Sequence, residues 1–315
     1  VEHLFGGERI VVYYLAEGAT QDLFGFDLLI ANPNTVPAPV TIRYLLDDGT
    51  TVDDARTLPA TSRTTIHVDD VPGVAPHAVS TVVTSTEARP LVVERSMFWD
   101  VRADWYGSHA GSSVDEPGRQ WLFAEGSQGY FDTYVLLANA LGVPAHVTVT
   151  FLLEFEAPVV REYLVGPTSR ANVYAGEIPE LLDKSFSIVV DANVPIIAER
   201  AMYFGTPLFN GGHESAGVQR ASHAWFLAEG ATGAYFDTYV LIGNPNDGPA
   251  TATVTFLTGA GVTVTKTVTV DAKRRLTINI EDQDPALAND GVATTVVADV
   301  PVIVERAMYW PTPFP

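Results

Sequence analysis

Five charged positions return three times along the 315-residue chain. They are the Glu of an "AEG" tripeptide (Glu17, Glu125, Glu229), an Asp after an aromatic (Asp27, Asp132, Asp237), an Arg (Arg63, Arg170, Arg275), and an adjacent Glu-Arg pair (Glu94–Arg95, Glu199–Arg200, Glu305–Arg306). Carboxylates and guanidinium groups make strong, often bidentate bonds. Two kinds of site can be assembled from them: a ligand site present three times, or a polar network that fastens strands. The network is favoured, because a fold repeated three times must repeat its own fasteners. Adjacent residues on a strand face opposite sides. One member of each Glu-Arg pair must therefore point toward the core or a domain junction, where a charge needs a partner. Arg200 and Arg306 are expected within salt-bridge distance of a recurring carboxylate, in their own or the adjoining copy.

Other residues that could do chemistry are weaker. "HESAG" (His213–Gly217) is one residue from the G-x-S-x-G nucleophile elbow, but no helical pattern follows Ser215. The seven histidines lack the i, i+4 or i, i+2 spacing that gathers metal ligands on one face. His109 and His213 recur in Gly-rich stretches, where backbone hydrogen bonding in a turn is the simpler expectation. Acidic runs at Asp47–Asp54, Asp69–Asp70 and Glu281–Asp290 contain carboxylates that could suit structural calcium, yet none matches the D-x-[DN]-x-[DN]-G loop and the copies do not share them. No cofactor is expected. Aromatics gather at the copy ends, including Trp99, Trp105, Tyr106, Phe204, Phe209 and Trp310. Exposed, they would be a sugar-stacking platform; packed, they would be the seam between sandwiches, and the seam is favoured.

The chain holds 38 acidic against 18 basic residues, a net charge of −20, which repels phosphate backbones and anionic membrane surfaces. Nucleic acid is excluded as a partner. There is no cysteine, so no disulfide and no thiolate metal site. No run of 18 apolar residues would insert in a bilayer. The opening "VEHLFGGERI" has no signal-peptide core, and the chain is expected to be a portion of something longer.

The elements that must position the charges follow from the repeat. The "AEG" glutamates are spaced 108 and 104 residues apart, and the Glu-Arg pairs 105 and 106. A period near 105 is one whole domain rather than a solenoid unit. Within a copy, Val, Ile and Thr alternate with polar residues, as in "TATVTFLT" and "GVTVTKTVTV", the pattern of half-buried strands. About seven such strands per copy predict an all-β chain of three tandem Ig-like antiparallel β-sandwiches. Repeat 1 covers 1–104, a linker plus repeat 2 covers 105–209, and a linker plus repeat 3 covers 210–315. The sandwiches themselves are expected at about 12–100, 120–205 and 224–311. Both linkers, of about 20 residues, carry aromatics followed by Gly-X-His or Gly-Gly-His, so they are expected to be ordered.

Together, "WFLAEGATG…FDTYVLIGNP", "ERAMYW" and "GGHESAGV" resemble a tandem β-repeat of long secreted or surface-attached bacterial proteins of actinobacterial type. The resemblance covers essentially the whole chain, and copy one departs most. It implies an extracellular or cell-surface location, a sandwich architecture and no assigned activity. The resulting expectation is a non-enzymatic structural or adhesive protein. Its partners would be neighbouring repeats, a cell-wall or surface glycan, or another surface protein. A carbohydrate-binding array using the copy-end aromatics is the alternative.

Overall fold

The alternating stretches form antiparallel strands throughout the computed structural model, which describes residues 2–5, 8–21, 23–100, 105–205 and 210–310. The first copy contains β1 (Glu2–Phe5), β2 (Glu8–Leu15), β3 (Phe24–Asn32), β4 (Ala38–Leu46), β5 (Thr51–Leu58), β6 (Ser62–His67), β7 (Val79–Ser85), β8 (Val92–Asp100) and β9 (Trp105–Ser112). They make one sheet in the order β1-β2-β7-β4-β5 and a second in the order β6-β3-β8-β9.

The second copy repeats the plan with β10 (Gly118–Phe123), β11 (Phe131–Asn139), β12 (Ala145–Leu153), β13 (Val159–Val165), β14 (Ser169–Tyr174), β15 (Phe186–Phe204) and β16 (Gly211–Ala216). The third uses β17 (Ser222–Leu227), β18 (Asp237–Asn244), β19 (Ala250–Thr258), β20 (Thr263–Val270), β21 (Arg274–Asn279) and β22 (Val292–Tyr309). Among the described residues the only helical elements are 3-10 turns of three residues each. The fold is all-β, with paired antiparallel layers enclosing apolar cores.

The last strand of each later copy, β15 and β22, runs unbroken through both of its sheets. The first half of β15 pairs with β12, from Leu153↔Phe186 to Val147↔Ala192. Its second half pairs with β11, from Ala138↔Ile197 to Phe131↔Phe204. Pro195 falls between the two halves, where a missing N–H breaks no ladder bond. β22 behaves alike around Pro301. A recurring aromatic fastens the crossing. The indole Nε1 of Trp121 donates to the Ile196 carbonyl at 2.9 Å, and Trp225 does the same to Val302. In the first copy the Leu91 amide donates to the Tyr13 hydroxyl.

The linkers are strands, and they pair backward. β9 adds to β8 and β16 adds to β15. Pairing therefore carries the first set of sheets to Ser112 and the second to Ala216, past the sandwich ends expected at about 100 and 205. Each linker then clips to the strand that leads into the preceding "AEG", β2 in the first copy and β10 in the second. Val114 exchanges backbone bonds with Tyr14, and Val218 with Leu122.

A buried Asn ends the second core strand of every copy. The Asn139 side-chain amide donates to the carbonyls of Val143 and Gly166 at 2.7 and 2.8 Å and lies 3.4 Å from that of Val165, while its oxygen accepts from the Leu141 amide. Asn32 and Asn244 make the same set. Asn139→Ala should cost about 2 kcal/mol, because several buried backbone groups lose their partner at once. Urea unfolding with an unchanged m-value would check this.

Candidate functional site

The recurring Glu-Arg pair works in two directions. Arg200 lies opposite Val135 on the ladder and points into its own sandwich, while Glu199 lies opposite Leu136 and points out. Each face meets a different neighbour. At the first junction, Arg95 is fully buried and meets three carboxylates: Glu199 Oε2 at 2.8 Å, Glu214 Oε2 at 2.7 Å and Glu17 Oε2 at 3.4 Å. It also donates to the Glu17 carbonyl. Glu199 accepts from the Glu17 amide at 2.7 Å, and the Tyr203 hydroxyl donates to Glu17 Oε1 at 2.7 Å.

Apart from the Glu214 contact, the second junction repeats these bonds 105 or so residues later. Arg200 donates to Glu305 Oε2 at 2.6 Å and to the Glu125 carbonyl, and its Nη2 lies 3.2 Å from Glu125 Oε2. Glu305 accepts from the Glu125 amide at 2.8 Å, and the Tyr309 hydroxyl donates to Glu125. An apolar patch surrounds the ions, with Leu122, Ala124, Leu152 and Val189 of copy two against Leu241, Ile303 and Ala307 of copy three.

The electrostatics follow from burial. Burial pushes the Glu17 carboxyl up, but His109 and Arg95 outweigh it and hold the group at about 2. Glu125 is lowered in the same way, against burial, by Arg200 and His213. Burial lowers Arg200, yet Glu305 and Glu125 leave it above the ordinary guanidinium value. Glu214 goes the other way. Burial lifts it to about 7, with Glu199 and Glu17 offsetting the pull of Arg95.

The remaining recurring charges divide. Arg170 and Arg275 are buried, but they serve backbone carbonyls across the junction: Arg170 donates to Gly18, and Arg275 to Gly126 and Phe186. Burial lowers both, Arg170 to about 10. Arg63, their counterpart in copy one, is exposed and donates to Thr65. Glu94 is exposed as well. Arg306 pairs with Glu229 at 2.8 Å, in a setting far more open than the two inner junctions.

Asp27 does not belong with Asp132 and Asp237. On the ladders, Asp132 lies opposite Tyr203 and Asp237 opposite Tyr309, but the residue opposite Phe98 is Gly25. Asp27 sits two positions further on and bonds His67 at 2.6 Å. Asp132 stays within its copy, accepting from Gln128 and Tyr174.

The histidine expectation needs correcting. His109 and His213 lie on β9 and β16, not in turns, and approach Tyr203 at 3.3 Å and Tyr309 at 3.1 Å. Glu214, beside His213, was invisible as a site residue because its counterpart in copy one is Ala110. Ser215 is mid-strand in β16, and its hydroxyl donates to the Ala216 carbonyl. The acidic runs have partners of their own: Asp47 with His77, Asp53 and Asp54 on β5 with Arg43 and Arg56, and Asp284 with the Ala286 amide. Glu17, His109 and Glu214 bring ligand atoms within 4.8 Å of one another, but Arg95 already supplies the positive charge there.

Trp99 is fully buried, edge-on to Tyr203 of the next copy at 5.4 Å, so it is part of a seam and not a platform. Phe204 is half-buried and stacks on exposed Tyr130. Trp310 is exposed. Trp105 and Tyr106 fall on β9, with their side chains outside the described set, and Phe209 lies outside the described residues. A groove of about 1350 Å³ runs between β16 and β22, lined by Tyr130, Phe204, His213, Phe226, Arg306 and Trp310 among others.

No protein-family model matches the chain, and no curated protein does. Solved structures similar to parts of it include Thermotoga maritima 1070, which shares 22% identity over 32% of this chain and 94% of that one, with a TM-score of 0.30. Anabaena sensory rhodopsin transducer shares 22% identity over 28% of this chain and 96% of that one, with a TM-score of 0.25.

Proposed function

We propose that the chain is a non-enzymatic structural or adhesive array that spaces or displays partners at a bacterial cell surface. The observation that carries this reading is the doubled junction. Removing one partner of a buried ion pair is costly, and here a guanidinium, two glutamates and a tyrosine are paired in the same way at both boundaries between copies. Such a device holds successive sandwiches in one orientation. The resemblance to tandem repeats of secreted bacterial proteins supports the extracellular location, and neighbouring repeats of a longer chain are natural partners. Among the described residues no helix is long and apolar enough to cross a membrane.

Location and stiffness are tested separately. Antibody raised against the chain should label intact cells of the producing bacterium; labelling only after permeabilisation would overturn the surface role. The absence of native cysteine lets spin labels be placed cleanly at Thr57→Cys and Thr267→Cys, both exposed. One narrow distance distribution is expected between them, and a broad one would remove the fixed-spacing idea.

The groove favours a second reading, carbohydrate binding. Tyr130 and Phe204 stack in it, and Phe226 and Trp310 are exposed along it. Binding on a glycan array that is lost in Tyr130→Ala or Trp310→Ala would establish that role.

A further inference from the structure

Positions that are buried at the two internal junctions are exposed at the two ends of the three-copy series. On the third copy, Phe226 is 76% exposed where its counterpart Leu122 is 1%. Leu257 is 41% exposed where Leu152 is fully buried. The Glu229 side chain is 73% exposed, against 7% for Glu125. This face displays an Arg, Arg306, whose inner counterparts Arg95 and Arg200 each also hold the outward Glu of the following copy. The outer face of the first copy carries the matching half. Glu94 is exposed where Glu199 is buried, Val92 is 53% exposed where Ile197 is 1%, and Arg63 is exposed where Arg170 is buried.

We propose that the two faces bind each other between molecules, the first copy of one chain seating on the third copy of a second. The occupant is set by what the chain already does internally. The same apolar positions and the same Glu–Arg contact close the junction twice within one molecule. Glu94 supplies the carboxylate for Arg306, Arg63 reaches the carbonyl of Gly230, and Val92 covers Phe226 and Leu257. The faces differ, so the contact is head to tail and continues from chain to chain, as a ring if the rotation closes and a filament if it does not. One departure weakens it relative to the inner junctions. Phe98 stands where Tyr203 and Tyr309 donate to a glutamate, so that hydrogen bond is lost.

This inference rests on the structural-array reading and extends it by naming the partner. Sedimentation velocity of the 315-residue chain, from about 1 μM to about 1 mM, should show mass growing with concentration. Glu94→Arg or Arg306→Glu should each weaken association about 100-fold, because like charges then face each other. The double variant Glu94→Arg/Arg306→Glu should associate again. Neither residue lies at an inner junction, so the Thr57–Thr267 label distance serves as the folding control and should not move. A chain that stays monomeric at the highest concentration overturns the proposal, as does association that neither reversal weakens. A monomer with the narrow label distance intact would leave the array reading standing. A monomer whose glycan binding is abolished by Phe226→Ala would assign this face to sugar instead.

Discussion

Arg200→Ala should destabilise the second and third sandwiches by about 3–5 kcal/mol, the usual cost of removing one partner from a buried ion group. Without the guanidinium, Glu125 and Glu305 remain side by side with no cation between them, and the Glu125 carbonyl loses its donor. Arg161 is the internal control. It also touches a carboxylate, Glu180 at 2.7 Å, but both side chains are substantially exposed. Arg161→Ala should therefore stay within about 0.5 kcal/mol. Arg306 gives a sharper comparison, since it occupies the same place in the repeat as Arg200. Its partner Glu229 is mostly in water, so Arg306→Ala should resemble Arg161→Ala and not Arg200→Ala. Thermal and denaturant unfolding of the three variants would measure the ordering. Equal losses, or a mild effect at Arg200, would mean that the recurring charges are not fasteners, and a repeated ligand site would become the better account.

Most of the sandwich strands were legible because they alternate over six to nine residues, and the repeat because its markers are polar residues in otherwise variable strands. The recurring arginines and glutamates could be named from their spacing, but their division of labour could not. Sequence says that Glu199 and Arg200 face opposite ways; only the packing shows that both ways lead to a neighbour, so both are buried. The linker strands were hidden for a physical reason. "GGHESA" on β16 lacks alternation because it lies between β15 and the neighbouring β9, with half-buried residues on both faces. Small residues are needed where those strands approach. Asp27 stands five residues before Asn32, whereas Asp132 and Asp237 each stand seven before Asn139 and Asn244, so aligning on the aromatic-Asp pair slips the register by two in copy one. Counting back from the buried Asn32, Asn139 and Asn244 gives the ladder's own alignment.

Glu214 should make the first junction less stable as pH rises. The residue crosses from β16 and lies over Gly111 of β9. A Cβ at 111 would stand 1.9 Å from Glu214 Oε2 and 2.7 Å from Arg95 Nη2, so the glycine is what admits the carboxyl. There it shares one guanidinium with Glu17 and Glu199, and burial raises it from 4.5 to about 7. An acid that is weaker in the folded state binds its proton more tightly when folded. Below pH 4.5 both states are protonated and the group costs nothing. The penalty grows as pH rises from 4.5 to about 7 and is fully present above that. Glu17 runs opposite: held at about 2, it contributes stability above 4.5 that is lost as pH falls toward 2. Between pH 4.5 and 7 the Glu214 penalty therefore acts alone of the two, and its ceiling is about 3 kcal/mol. Glu214→Gln keeps the shape and the neutral charge of the protonated acid. Its stability relative to the native chain should be near zero at pH 4.5 and higher by about 2 kcal/mol at pH 8, read from melting curves across that range. Loss of stability at pH 8 in the Gln variant would show that the Arg95 contact outweighs the crowding of three carboxylates. Glu214 would then be a third fastener of the junction and not its pH-sensitive member.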